Sequence, residues 1–324
     1  MTSFPSSAPV IGIDIGGTNM QFGVVDAANS VIGRISAKTE PAKGLQHVLG
    51  GIADGVQRVC ATAAVRLDDI GAVGVVAAGA MDIPNGIVLC APNLSWVDVP
   101  FRDLLEARIG RPVVLDNDVN GAAWAEYHLG AGDRRGDALG VWIGTGVGSG
   151  LILGGRIHHG DFFTAGEIGH TVVDPDGPPG RRTVEQLCSR TGMRNVIHEA
   201  LGRHPDSILL RLIGDDIDRL GTDEIKTAYD AGDDLAAGVV HRSADLIGVA
   251  IANIVTMLAV RTVIIGGGMT EALGEPYFRR ICQSFRTEVF PDRCRDCRLV
   301  MTELAADSGL LGAALLARRA PDAN

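Results

Sequence analysis

Residues 10–26 read VIGIDIGGTNMQFGVVD, and this stretch decides the fold. Two β-branched runs, at 10–15 and 20–26, flank the turn residues GGTN, and a third, VIGRISA at 31–37, follows AANS. Short Val- and Ile-rich runs punctuated by Gly and Asn predict an antiparallel meander. Working outward, the pattern continues as a helix-period segment at 44–66, a buried strand at 70–77, a helix near 101–109 and a strand at 112–115. Beyond Asp116-Asn117-Asp118 a helix runs to about Leu129. Glycine-rich strands at 138–146 and 149–154 then open a second meander. Helical stretches near 183–200 and 234–260 follow, then a strand at 262–265 that enters Gly266-Gly267-Gly268, and a closing helix from about Asp307 to Arg318.

The opening layout therefore recurs, weak in identity and matched in order, which predicts an α/β chain of two duplicated lobes facing a cleft. Its 324 residues exceed what one hydrophobic core usually spans. The expected division puts 10–116 plus 307–320 in a smaller lobe and 117–306 in a larger one. Hydrophobic residues at 46% and charged residues at 21% exclude a disordered or fibrous chain. The net charge of −10 offers no field for nucleic acid or an anionic membrane. The uncharged stretch from Ala138 to Gly155 alternates like strands and holds seven glycines, so it does not read as a membrane helix. MTSFPSSAPV lacks the basic start and apolar run of a secretory signal, so a cytoplasmic location and reduced cysteines are expected.

Four places carry chemistry. At Asp14-Ile15-Gly16-Gly17-Thr18 a strand ends in a carboxylate and meets two glycines and a hydroxyl. Such a turn lets backbone N–H groups and Thr18 approach a phosphate while Asp14 holds Mg²⁺ through water; alone, it is as well a plain hairpin turn. In GTGVGSG at 144–150 glycine occupies every second position, which leaves one face as bare backbone for a ligand's close approach. It fits neither GxGxxG nor GxSxG, and none of the three lysines, Lys38, Lys43 and Lys226, follows a glycine loop as a P-loop requires. In Asp116-Asn117-Asp118 a carboxylate either caps the next helix or accepts the proton of a substrate hydroxyl attacking phosphorus. Gly166-Glu167-Ile168-Gly169-His170, with Glu185 fifteen residues beyond Gly169-His170, sets carboxylates and an imidazole between glycines. This suits vicinal hydroxyls of a polyol, against the plainer reading of a His satisfied by its neighbours.

Together, IGIDIGGTN (11–19), Pro92-Asn93, LDNDVNGAAWAE (115–126), GTGVGSG (144–150), GEIGH (166–170), Glu185 to Ser189 in E-x-x-x-S, and GGGM (266–269) resemble the ROK family of the actin-like ATPase superfamily. The resemblance covers about residues 10 to 318. It implies two actin-like, ribonuclease H-like lobes closing on ATP–Mg²⁺ and a hexose, with Asp118 as the base. By position it assigns Asn93, Asn117, Asp118, Glu167, His170 and Glu185 to the sugar. It assigns Asp14, Gly16, Gly17 and Thr18, with Gly144, Thr145 and Gly146, to Mg²⁺ and phosphate, and Gly266, Gly267 and Gly268 to the nucleoside. A homodimer or higher homo-oligomer is implied too.

One departure is large. Where the family carries a CxCGxxGC cluster that joins the histidine on zinc, this chain reads DGPPGRRTVE at 176–185 without a cysteine. Cys188 alone cannot complete a tetrahedral site, so no structural zinc is expected, and the prolines and arginines stiffen the loop instead. The lone CxxC of Cys294 and Cys297 is weak evidence for a metal. Its neighbouring arginines, with Arg181-Arg182 and Arg279-Arg280, are ordinary surface or draw a polyphosphate donor. The resemblance points to a glucokinase acting on the 6-hydroxyl. Kinases of fructose, mannose, allose, glucosamine or N-acetylmannosamine are rivals, because pocket shape rather than residue type selects the epimer. A non-catalytic sugar-sensing repressor of the family is the alternative of another class, and the nine residues ahead of the first strand leave no room for its helix-turn-helix.

Overall fold

The computed structural model describes residues 7–214 and 216–319. Residues 1–6, which bear most of the expectation of no leader, and Ala320, the last residue assigned to the smaller lobe, lie outside the described residues. The chain divides into two compact units. The first takes the chain as far as Gly130 together with Ile157–Ala165 and the segment from Ala306; the second takes Ala131–Arg156 and Gly166–Ala305.

In the first unit, β1 (Val10–Ile15), β2 (Asn19–Val25) and β3 (Val31–Lys38) form the expected meander, with Ile13 opposite Phe22. The helix α1 (Leu45–Thr62) leads to β4 (Val73–Ala77). A small antiparallel sheet follows, β5 (Ala80–Asp82), β6 (Ile87–Ala91) and β7 (Trp96–Val99), which the sequence patterning did not announce. Then come α2 (Phe101–Ile109), β8 (Val113–Asn117) and α3 (Asp118–Leu129). Strands order as β3-β2-β1-β4-β8, with β1, β4 and β8 parallel. Val48, Leu49, Ile52, Val56 and Val59 make one apolar stripe of α1, buried with Ile11, Ile13, Phe22 and Val75 in the core.

The closing helix α10 (Ser308–Ala317) is buried almost all round and packs on β1, β4 and α3. Its approach needs bare backbone: a Cβ on Gly74 would collide with the Ala313 carbonyl, and one on Gly312 with the Gly121 carbonyl. This packing holds α3 in the first unit. The division after Gly130 therefore lies a helix further on than the boundary between 116 and 117 read from the sequence.

The second unit repeats the plan. β9 (Ala138–Ile143), β10 (Val147–Leu153) and β11 (Arg156–Ile157) precede α4 (Val184–Cys188), α5 (Arg190–Leu201), α6 (Leu209–Ile213), α7 (Thr222–Asp230) and α8 (Asp234–Leu258). Next come β12 (Thr262–Gly266), α9 (Gly268–Glu288) and β13 (Arg298–Met301). The strand order β11-β10-β9-β12-β13 matches that of the first unit, with β9 antiparallel to β10 and parallel to β12, so the duplication is one of topology. The apolar α8 is long enough to cross a bilayer but is mostly buried here, lying against α9. The helical stretch expected over 183–200 is two helices, because Ser189 leaves the first in extended conformation and caps the second. A non-helical Gly274 (φ 64°), two residues before Pro276, breaks α9.

Candidate active site

In the first unit the carboxylate of Asp14 stands near the end of β1 against the first turn of α10, where a Cβ on Gly309 would strike its Oδ2. Burial, and after it the negative charge of Asp118, push the Asp14 carboxyl up from 3.8 to about 7. The loop beyond it is pinned from below. Gly16 N–H donates to the Asn19 carbonyl (3.0 Å), the buried Thr39 hydroxyl donates to Gly16 O (2.7 Å), and Thr39 N–H donates to Thr18 O (3.0 Å). Gly16, Gly17 and Thr18 themselves are exposed, and a Cβ on Gly17 would sit 3.5 Å from that of Asn93. Asn93 lies in the turn between β6 and β7, so the unannounced small sheet is what carries it.

The junction of β8 and α3 distributes its three polar residues. Asn117, not Asp116, is the helix cap: its Oδ1 accepts from Val119 N–H (2.8 Å) and Asn120 N–H (3.2 Å), while its Nδ2 donates to Gly79 O (3.1 Å). That work draws on the amide which the resemblance assigns to sugar. Asp116 is buried and committed: Oδ1 accepts from Asn117 N–H (2.7 Å) and Asn120 Nδ2 (2.9 Å), and Oδ2 receives His159 Nε2 at 2.8 Å. Asp118, the first residue of α3, is only partly buried, accepts from Val119 N–H (3.0 Å) through Oδ1, and is the carboxylate that acts on Asp14.

In the second unit Gly144, Thr145 and Gly146 form the turn between β9 and β10 rather than strand, closed by Gly144 N–H to Gly146 O (2.9 Å). The start of α5 clamps it. Arg190 N–H donates to Gly144 O (2.8 Å), Arg190 Nη2 to Thr145 Oγ1 (2.7 Å) and Thr191 Oγ1 to Thr145 O (2.9 Å). Glu185 Oε2 accepts Val147 N–H (2.9 Å) and lies where a Cβ on Gly146 would be. Gly169 packs on the Val147 carbonyl and the Glu185 Cβ, so GEIGH, Glu185 and the glycine turn are brought together. Glu167 and His170 are exposed, with Glu167 Oε2 3.9 Å from His170 Nε2. Gly267 (φ 92°) has no space for a Cβ, which would fall 2.6 Å from the backbone N and O of Ile143, whereas Gly268 faces open space at the start of α9. Both glycine elements thus meet the end of β9.

Polar contacts tie down the cysteine-free segment around residues 173–182. Val173 N–H donates to Arg182 O (2.9 Å), Arg182 Nε to Gly177 O (2.7 Å) and Arg181 Nη2 to Asn195 O (2.9 Å), Arg181 pairs with Glu199, and Arg242 Nη2 meets Asp174 Oδ2 (3.1 Å). Among the described residues no three or more His, Cys, Asp or Glu side chains are grouped to hold a metal ion. Cys294 and Cys297 are reduced and half-buried against the core of the second unit. Cys60, Cys188 and Cys282 are buried, whereas Cys90 is exposed.

Over residues 10–320 the sequence matches the profile of the ROK family. The chain belongs to the ROK family. It is 31% identical over 314 residues to a glucokinase of Halalkalibacterium halodurans, covering 95% of this chain and 94% of that one. Among solved structures, the ROK hexokinase of Thermus thermophilus superposes with a TM-score of 0.83 at 30% identity, covering 98% and 100% of the two chains. A ROK family glucokinase of Streptomyces griseus, solved with glucose and AMPPNP, gives 0.82 at 32%, covering 96% and 99%. These are two-lobed actin-like kinases, and this ROK chain shares their fold. Sequence reading did not single out Thr39, His159 or Arg190. The signal for the last was its place directly after the E-x-x-x-S motif; for Thr39 and His159, which act from outside any motif, no local signal exists.

Proposed function

We propose that this ROK protein is an ATP-dependent sugar kinase that phosphorylates glucose at its 6-hydroxyl, with Asp118 as the general base. The observation that carries the reading is the placement of Asp118, a partly buried carboxylate at the carboxyl end of a parallel strand, within electrostatic reach of Asp14 at the glycine loop. Full-length similarity to glucokinases, one of them solved with glucose and AMPPNP, supports the same substrate pair here.

Magnesium fits the first unit. Two carboxylates that repel one another, one of them raised to about 7, beside exposed loop N–H groups make a set that a hydrated divalent cation relieves. When bound with the nucleotide it neutralises charge across the phosphates. Asp14 would hold it, Gly16, Gly17 and Thr18 would face phosphate oxygens, and Gly144, Thr145 and Gly146 in the second unit would offer bare backbone to phosphate. Gly266, Gly267 and Gly268, with open space at the last, would lie against the nucleoside. Asn93, Asn117, Asp118, Glu167, His170 and Glu185 would orient the hexose hydroxyls.

The chemistry then asks one thing of Asp118: it accepts the proton of the 6-hydroxyl as that oxygen bonds to the terminal phosphorus and the bridging P–O bond breaks to give ADP. Asp116 is unsuited, since both its oxygens are engaged in the protein. An ADP-release assay over a hexose panel tests the reading. Glucose should give the highest kcat/KM, and NMR of the product should show phosphate on C6. A preference for another hexose would move the assignment to a sister ROK kinase, and no turnover with any sugar would refute it.

A further inference from the structure

The pairing of His159 with the buried Asp116 has no part in the assignments above. His159 belongs to the short segment Ile157–Ala165, which leaves the second unit's sheet and joins the first unit. The segment is held to a fixed shape by Ala165 N–H donating to His159 O (3.0 Å). Asp116 has a side chain only 3% exposed, and His159 one 24% exposed, so the contact of 2.8 Å is largely shielded from water. A carboxylate here accepts only, so Nε2 of His159 carries the proton it donates. The opposite oxygen of the same carboxylate binds Asn117 N–H and the Asn120 side chain, one residue before and two residues after Asp118.

We propose that His159 is a positioning residue for phosphoryl transfer: by saturating the second oxygen of Asp116 it fixes the rotamer of that carboxylate, and with it the β8–α3 junction from which Asp118 projects. Asp116 without His159 keeps a buried, half-satisfied carboxylate that gains by rotating toward water or toward another donor. Rotation releases Asn117 N–H or Asn120 Nδ2 and lets the first turn of α3 shift. Displacements of about 1 Å at a reacting group cost on the order of a hundredfold in rate. Of the groups assigned to glucose only Asn117 and Asp118 stand on this junction, and those assigned to ATP lie elsewhere, so binding should change far less than turnover.

The inference rests on Asp118 being the base, and the experiment separates the two. His159→Leu, His159→Gln, Asp116→Asn and Asp118→Asn are assayed together for kcat and for KM of glucose and of ATP, with thermal melting alongside. His159→Leu should lower kcat roughly ten- to a hundredfold with both KM values within about threefold. His159→Gln, whose amide N–H reaches the same oxygen, should recover most of that loss. His159→Leu added to Asp116→Asn should cost little further, because the carboxylate it serves is already gone. Should His159→Leu not fold, His159→Ala, which equally removes the donor to Asp116 Oδ2, takes its place with the same expected loss of kcat. Normal kcat in His159→Leu, a loss of melting temperature with kcat intact, or full additivity with Asp116→Asn would overturn it. Near-normal kcat in Asp118→Asn would instead overturn the assignment of the base.

Discussion

Replacing Asp14 by Asn should stabilise the folded protein at pH 8 while it impairs catalysis. The Asp14 carboxyl titrates near 7 in the fold against 3.8 in the unfolded chain, first because it is buried and second because Asp118 is close. A group that holds its proton more tightly when folded penalises the folded state as pH rises between those two values, and above about 7 the whole penalty is in place. Three pH units at ~1.4 kcal/mol each set an upper bound of about 4 kcal/mol, and water at the partly exposed carboxylate reduces this to ~2 kcal/mol. Asn is nearly isosteric and carries no charge. Urea unfolding at pH 8 in EDTA, with nucleotide absent, should therefore show Asp14→Asn more stable than the wild type by ~2 kcal/mol, and the difference should shrink to about a quarter of that at pH 4.5, where the folded wild type already holds its proton. If the variant were destabilised equally at the two pH values, the carboxylate would not be held against its own charge, and the account of the Asp14–Asp118 pair would fail. With Mg²⁺ and ATP present, the same variant should lose most of its turnover.

Other variants test the packing and the division of roles. A thiol reagent at pH 8 should label Cys90 readily while Cys188 and Cys297 resist, because burial pushes both of the latter thiols up to about 12, leaving about one in 10⁴ as thiolate; mass mapping of the adducts reads this directly. Gly312→Ala should cost ~3 kcal/mol in chemical unfolding, since its methyl would collide with the Gly121 carbonyl and part α10 from α3. Glu167→Gln should raise KM for the hexose roughly ten- to a hundredfold and leave KM for ATP alone, whereas Glu185→Ala should raise both, because Glu185 also holds Val147 at the glycine turn.

Local patterning carried the two meanders and the strand–helix alternation, because Gly-punctuated β-branched runs and the stripe of α1 are properties of neighbouring residues. The sheet of β5, β6 and β7 was not legible, since its strands of three to five residues mix Pro, Asn and Asp into a stretch with no clean period. The break of α9 at Gly274 masked a helix that includes a proline. At the site, the motifs located Asp14, Asp118, the glycine turn and GEIGH. Which member of Asp116-Asn117-Asp118 caps, which is buried and which projects depends on His159, Asn120 and Gly79, residues distant in sequence or one helical turn on, and spacing alone holds no trace of them. The same holds for the boundary of the first unit, fixed by glycine contacts between α3 and α10 that become visible only once both helices are in place.

The central claim, that Asp118 takes the proton of the sugar hydroxyl, is met most directly by Asp118→Asn. Calorimetry should give a glucose dissociation constant within about threefold of the wild type, while kcat in the ADP-release assay falls ~10²–10⁴-fold. Near-normal kcat with glucose binding intact would contradict it.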